Sequence, residues 1–569
     1  MLSTKKLLMV LAPFAIISII FAVYNRNEQK VKDIEVEENR ESNEALSEGS
    51  VNRDVGEYKF YVVGSDTKEI YKDILKNVKT LFDDLKIPYM IKDSIDAAEL
   101  NENTIIIFCD EIIRDYGDLQ VIGDFISNGG RVVLAAGLSE GSTDAYMQPF
   151  YGITEKNSRF SAQNFYFTGE IFPLQFDDMT YSTYNMSTHI SIREEANVYI
   201  EEESGVPIVY TYEFDDGNIG IINGTLLRDI KCSGVLTGII CNMLDDFVYP
   251  VVGVKMVYLD NLPVFSVLDD VTCIDMYGRN SESFIREVIW PTFTGFSLRT
   301  ETPLTISLIS QASSDEFFAE INTSLMATLT KEAMQYGGEL AYASYCLEKD
   351  EIFNNEELIS DYKEIFPRYD VSSLVIMGEE YSEENKAIIK TDIVAIRGRL
   401  DSDNPELRFY SDGKYEHTMP GATYGNHIID ENTFEIASVL AAYGYIAHTF
   451  DMSMLMSEDQ STPTWDERKK DISVFEEYIL AEATYLTGST LYDTRNEINS
   501  YTSIEYSWTI NDNVLYIDAD SFISNQPFYY KTNKKIVSAK GAAYEAIGNG
   551  YYMIRLIDTK AEIYLEDNR

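Results

Sequence analysis

The chain has 569 residues, 45% of them apolar and 12% aromatic, a composition that excludes wholesale disorder and provides for three or four folded units. With 46 basic against 94 acidic residues the formal net charge is −48, and no local basic patch offsets it, which argues against a nucleic-acid partner. Five cysteines, Cys109, Cys232, Cys241, Cys273 and Cys346, are scattered without a CxxC pair, so neither a disulfide framework nor a zinc cluster is indicated.

After Lys5 and Lys6 comes an uncharged apolar run, Leu7 to Val23, about 25 Å long as a helix and just able to cross a bilayer. Residues 1–26 are read as an uncleaved membrane anchor, with the bulk of the chain outside the cell membrane. Residues 27–57, "NEQKVKDIEVEENRESNEALSEGSVNRDVGE", are acidic and nearly free of aromatics, and form a disordered tether.

From "YKFYVVGS" onward strand and helix alternate. Ile70, Ile74, Leu75, Val78, Leu81, Phe82 and Leu85 keep the spacing of one buried helical face. "TIIIFCDE" is apolar throughout, as a strand of a parallel sheet covered on both faces would be. "LQVIGDFISNGG" ends a helix in two glycines before the strand "RVVLAAG". Residues 58–250 therefore read as an α/β domain, and "FISNGGRVVLAAG" resembles glutamine-amidotransferase-like, flavodoxin-like domains. Such enzymes hold a nucleophilic cysteine between glycines; Cys109, in "IIIFCDE", has none beside it and reads as structural. "YEFDDGNIG" reads as a hairpin turn with Gly217 at the left-handed position.

Residues 251–500 carry strand candidates "LTISLIS", "GELAYASY", "SSLVIMG" and "LRFYS" between helical or irregular segments, the pattern of a partial (β/α) barrel. Residues 501–569, with "NVLYIDAD", "PFYYKTN", "YYMIRLID" and "AEIYLED", read as a small β module. Within the barrel, "PVFSVLDDVT" delivers two carboxylates, Asp269 and Asp270, from an apolar run. Adjacent acids at a strand end suit metal-assisted hydrolysis, one taking a proton from the attacking water and the other holding the metal.

At these residues the chain resembles the polysaccharide deacetylase superfamily. The resemblance implies Asp269 as the catalytic base and Asp270 as a ligand of zinc or cobalt. More widely, residues from about 60 onward are similar to a family of large bacterial proteins with an amidotransferase-like front half and a deacetylase-like back half. That family is associated with Pel-type exopolysaccharide systems, and "MPGATYGNHIIDENTFEIASVLAAYGYIAHTFDMSMLM" carries the match best. On it, His448 corresponds to the histidine late in the barrel.

The departures fall on the metal ligands. Where relatives place two histidines four residues apart, this chain has Ala343 and Leu347; where they place a later histidine and proline, it has Phe450 and Asp451. An alternative metal set is Asp270, His427 and His448, joined by Asp451. Tyr424 and Trp290 are candidates to stack on sugar rings. Two readings follow: a barrel that has lost its metal, needs no cofactor and binds or positions an amino-sugar exopolysaccharide beside other synthesis proteins; or an active metal-dependent deacetylase of such a polymer.

Overall fold

The computed structural model describes residues 56–567 apart from 57, 68, 142, 176–179, 182–184, 263–269, 309–322, 346–370, 378–392, 400–407, 414–415, 426–431, 453–463, 521 and 523–524. The anchor and all of the tether except Gly56 lie outside the described residues. Among those described, no helix is long and apolar enough to cross a membrane. Residues 52–569 form one compact unit.

The front of this unit is built on a nine-stranded sheet. Its parallel part runs in the order Tyr89–Lys92, Lys59–Val63, Thr104–Phe108, Arg131–Leu134, Gly217–Ile222, and antiparallel strands extend it from Gly217–Ile222 outward. Helices Glu69–Asp84 and Leu119–Ser127 cover it. Thr104–Phe108 is buried at every position, which is why its sequence shows no alternation. Cys109, at its end, is fully buried, and burial pushes its thiol upward, away from the nucleophilic thiolate.

The hairpin at Asp215–Asp216 is present, joining Pro207–Phe214 to Gly217–Ile222. Its left-handed residue is Asp215 (φ 51°), not Gly217 as expected. Glycine is needed at 217 for another reason: a Cβ there would lie 2.1 Å from the Ile126 carbonyl oxygen.

The second half is a barrel. Its strands are β1 (Val254–Leu262), β2 (Leu304–Leu308), β3 (Glu339–Tyr345), β4 (Ser373–Met377), β5 (Ala395–Arg399), β6 (His417–Gly421), β7 (Thr423–Tyr424) and β8 (Tyr445–Asp451). All neighbours from β1 through β6 pair in parallel, β8 pairs in parallel with β1, and β7 pairs in parallel with β8. Because β6 and β7 are one run of chain broken only at Ala422, this run bonds to β5 first and to β8 next. The Ala422 and Gly425 amides donate to the Ala447 and Thr449 carbonyls at 3.1 and 2.9 Å. The described strands thus form a curled half-barrel, in keeping with the partial barrel expected from the sequence.

At the base, Thr487–Gly488 pairs with the start of β1, and the amides of Leu491 and Tyr492 cap Glu339, the first residue of β3. Both contacts lie at the amino-terminal ends of the strands. Helix α1 (Asp270–Tyr277) follows β1, α2 (Trp290–Thr300) leads to β2, α3 (Asn432–Tyr443) leads to β8, and α4 (Trp465–Val474) follows it. Two four-stranded antiparallel sheets close the chain, and one of them borrows Asp246–Pro250 from far upstream.

Candidate functional site at the barrel mouth

In a strand, alternate side chains face opposite sides, so each barrel strand offers one set to the lumen and one to the helices outside. β1 turns Tyr258 and Asp260 inward. The Asp260 carboxylate is fully buried and accepts three hydrogen bonds: from Ser307 Oγ at 2.7 Å, Arg397 Nη2 at 2.7 Å and Arg397 Nη1 at 3.2 Å. Arg397, from β5, also donates from Nη1 to Thr449 Oγ1 at 2.8 Å, and its guanidinium carbon lies 4.6 Å from the centre of the Tyr258 ring. Four strands thus meet at this ion pair. A carboxylate enclosed by a bidentate guanidinium and a hydroxyl has its charge and its lone pairs met already.

Nearer the rim, Tyr424 donates from its hydroxyl to Asp451 Oδ2 at 2.5 Å. Asp451 is otherwise buried and lies against the charge of Arg468 on α4, whereas the Tyr424 ring is 49% exposed. The pair ties down the hydroxyl of a half-exposed ring.

His448 faces the other way. As the neighbour of Thr449 in β8 it points out of the barrel, packed 4.7 Å from the Phe450 ring and 4.8 Å from the Phe475 ring. Nε2 lies 3.0 Å from the Gly425 carbonyl and Nδ1 lies 2.8 Å from Thr423 Oγ1. A carbonyl only accepts, so Nε2 carries the proton and Nδ1 takes the threonine hydroxyl. Burial lowers the imidazole to about 3, which keeps it neutral. Both nitrogens are engaged, so His448 ties β7 to β8 and has no lone pair left for a metal.

The other expected site residues are dispersed. Asp269 and His427 lie outside the described residues. Asp270 opens α1 on the surface, where Oδ1 accepts from the Ser281 amide at 3.0 Å and its hydroxyl at 2.8 Å. Trp290 is 1% exposed, with Nε1 donating to Glu332 Oε2 at 2.7 Å, so its faces pack in the core and reach no sugar. Of the positions that replace the histidine pair, Ala343 lies in β3 and Leu347 outside the described residues. The acid that β1 carries into the barrel is Asp260, one apolar run earlier than the pair read from the sequence. Among the described residues, no three histidine, cysteine or acidic side chains come together to hold a metal. Of the alternative metal set, the described members are Asp270 on the surface, His448 with both nitrogens engaged, and Asp451 bonded to Tyr424.

Glu339 sits at the base, accepting from Thr305 Oγ1 at 2.8 Å, the Leu491 amide at 2.7 Å and the Tyr492 amide at 3.1 Å. Burial nonetheless dominates and pushes its carboxyl up to about 7. The folded state therefore holds a proton that the unfolded chain has already released above the ordinary value of 4.5. Its contribution is fully present below about pH 4.5 and is lost as pH rises to about 7, on the order of 3 kcal/mol in all. Chemical unfolding at intervals from pH 4.5 to 8 should show this decline, and Glu339→Gln should flatten it.

Residues 45–553 match a family described as an uncharacterised protein conserved in bacteria, DUF2194. No curated protein matches the chain. Among solved structures, a Parabacteroides distasonis protein described as a glycoside hydrolase/deacetylase is 11% identical, over 50% of this chain and 82% of that one, with a TM-score of 0.30. A ThuA-like protein from Bacteroides uniformis is 12% identical over 34% of this chain and 93% of that one, TM-score 0.25. A GH42 β-galactosidase from G. stearothermophilus is 14% identical over 29% of this chain, TM-score 0.22, and this chain spans only 27% of its length.

Proposed function

Since the chain belongs to the DUF2194 family of bacterial proteins, we propose that its barrel is a deacetylase-like domain that binds or positions a glycan without hydrolysing it. The setting we propose is exopolysaccharide (Pel-like) synthesis or export, with the bulk of the chain held outside the membrane by the apolar run at Leu7–Val23. The ligand is an amino-sugar polymer, whose free amines are attracted to a chain of net charge −48. In this reading the front domain is flavodoxin-like, as its parallel strand order supports, and docks a partner of the same system.

One observation carries the reading. The acid that β1 places in the lumen is neutralised by Arg397, a permanent cation fixed to the chain, where a hydrolase of this type would need an exchangeable metal and its water. Asp269 and Asp270 take no catalytic step in this account. Tyr424 supplies the sugar contact, since its exposed face matches the C–H face of a pyranoside.

The test is incubation of residues 52–569 with partially acetylated glucosamine and galactosamine oligomers, with and without zinc or cobalt. Retention of the oligomers without acetate release is expected, and Tyr424→Ala should weaken it about fivefold or more, for a stacking contact of about 1 kcal/mol. Metal-dependent acetate release that disappears in Asp270→Ala would restore the hydrolase.

A further inference from the structure

The terminal β module turns one face of a sheet to solvent. Its strands β9 (Glu505–Asn511), β10 (Val514–Asp520), β11 (Lys534–Lys540) and β12 (Lys560–Asp567) lie in the order β9-β10-β12-β11, each antiparallel to its neighbour. Alternation sends Trp508, Ile517, Ile563 and Ile536 into the core and the residues between them outward. In the module's other sheet, by contrast, Gln526–Thr532 is buried on both faces.

Two tyrosines stand on the outer face. Tyr516 in β10 is 41% exposed and Tyr564 in β12 is 38% exposed. Tyr516 is the direct cross-strand partner of Glu562, so Tyr564 is its diagonal neighbour, at a spacing of about 7–8 Å. The second ring is held in place: Tyr564 donates to Glu562 Oε2 at 2.6 Å, and Glu562 Oε1 accepts from Lys540 Nζ at 2.9 Å. Beside them Lys560 pairs with Asp518 at 2.9 Å. Farther along β10, Asp520 is the direct partner of Glu505 on β9. From Tyr516 to Asp520 the strand runs about 13–14 Å, room for several sugars of an extended chain.

The chemistry of this face selects its occupant. The centre of a protein interface is contiguous and apolar, with charges depleted. Here Glu562 lies between the two rings, and paired charges surround them. A pyranoside is the complement, with an apolar C–H face for each ring and a rim of hydroxyls that both donate and accept. The like charges at Glu505 and Asp520 oppose each other across the strands, and a cationic ligand relieves that repulsion.

We infer that this face is a second binding site for the glycan, in which Tyr516 and Tyr564 stack on sugars of one chain and Glu505 and Asp520 meet its free amines. The stacking platform rests on the sheet alone; the choice of an amino sugar rests on the function proposed above. Oligomers of glucose, which lack the amine, test the first without the second.

The experiment is titration of the full chain with soluble oligomers of glucosamine, N-acetylglucosamine and glucose. Binding should persist in Tyr424→Ala, and adding Tyr516→Ala and Tyr564→Ala should weaken it about fivefold for each ring removed. Tyr516→Phe keeps the ring and the strand preference, and should bind as the wild type does. Glucosamine oligomers should bind severalfold more tightly than the other two, a preference that Glu505→Gln with Asp520→Asn should erase.

Glucose oligomers bound as tightly as glucosamine oligomers, through both tyrosines, would keep the platform and overturn the amino sugar. Binding lost in Tyr424→Ala and indifferent to Tyr516→Ala and Tyr564→Ala would overturn the platform and leave the function proposed for the barrel standing. Equal loss in Tyr516→Phe and Tyr516→Ala would also overturn the platform. So would self-association of the chain that the two alanine variants abolish, which would assign the face to a contact between copies. Binding of none of the oligomers would overturn platform and proposed function together.

Discussion

Replacing Arg397 with methionine is expected to destabilise the barrel by about 3–5 kcal/mol, the cost of leaving one member of a buried pair uncompensated. The volume is kept, so cavity formation contributes little; the effect is electrostatic. Asp260 would retain the Ser307 hydroxyl alone, and the Thr449 hydroxyl and the Tyr258 ring would lose the cation that joins them. Adding Asp260→Asn to Arg397→Met should recover a large part of the loss, because the stranded charge goes with it. Urea unfolding followed by tryptophan fluorescence measures both, since Trp290 and Trp465 lie on helices that pack around the barrel. A loss below about 1 kcal/mol in the single variant would mean that Asp260 finds another partner.

The second large effect is expected at His448. Truncation to alanine should cost about 3 kcal/mol, combining a cavity between Phe450 and Phe475 with two unmet hydrogen bonds, at Gly425 and Thr423. Thr423→Val, which removes only the donor to Nδ1, should cost about 1–2 kcal/mol and should be less than additive with His448→Ala. Both are read by thermal or urea unfolding of metal-free protein. A histidine serving as a metal ligand behaves in the opposite way: its loss releases metal and leaves the metal-free protein nearly unchanged.

Some of this was legible in the sequence. The front strands announced themselves because a parallel strand buried on both faces must be apolar at every position, and "ISNGG" marks a helix end by its glycines. The same property hid the orientation of His448. In "YIAHTFD" every residue is buried in the fold, so the alternation that assigns faces is erased, and only the pairing with β1 and the contacts of Phe450 show which way the imidazole points. The change of partner at Ala422 was hidden too, because β6 and β7 share one run and the switch leaves no periodic mark.

The buried ion pair was obscured by distance and by a neighbouring motif. Asp260 and Arg397 are 137 positions apart, and nothing in local spacing connects them. Two signals were present: an acid ending the apolar run "KMVYLD", and an arginine inside "IVAIRG", a segment otherwise suited to a buried strand. A buried arginine calls for a buried acid. The following run, "PVFSVLDD", matches the deacetylase pattern more closely and drew the assignment nine or ten residues downstream, to acids of which Asp270 stands on a surface helix. The strand lent by Asp246–Pro250 to the terminal β module was invisible for a similar reason, since its partner begins at Gln526.

The most direct measurement is the metal content of residues 52–569 after equilibration with zinc and removal of the excess, for the wild type and for Asp260→Asn, Asp270→Ala and His448→Ala. A barrel whose lumen acid is held by Arg397 retains no stoichiometric metal in any of the four. One equivalent of tightly bound zinc in the wild type, lost in Asp270→Ala or His448→Ala, would contradict it.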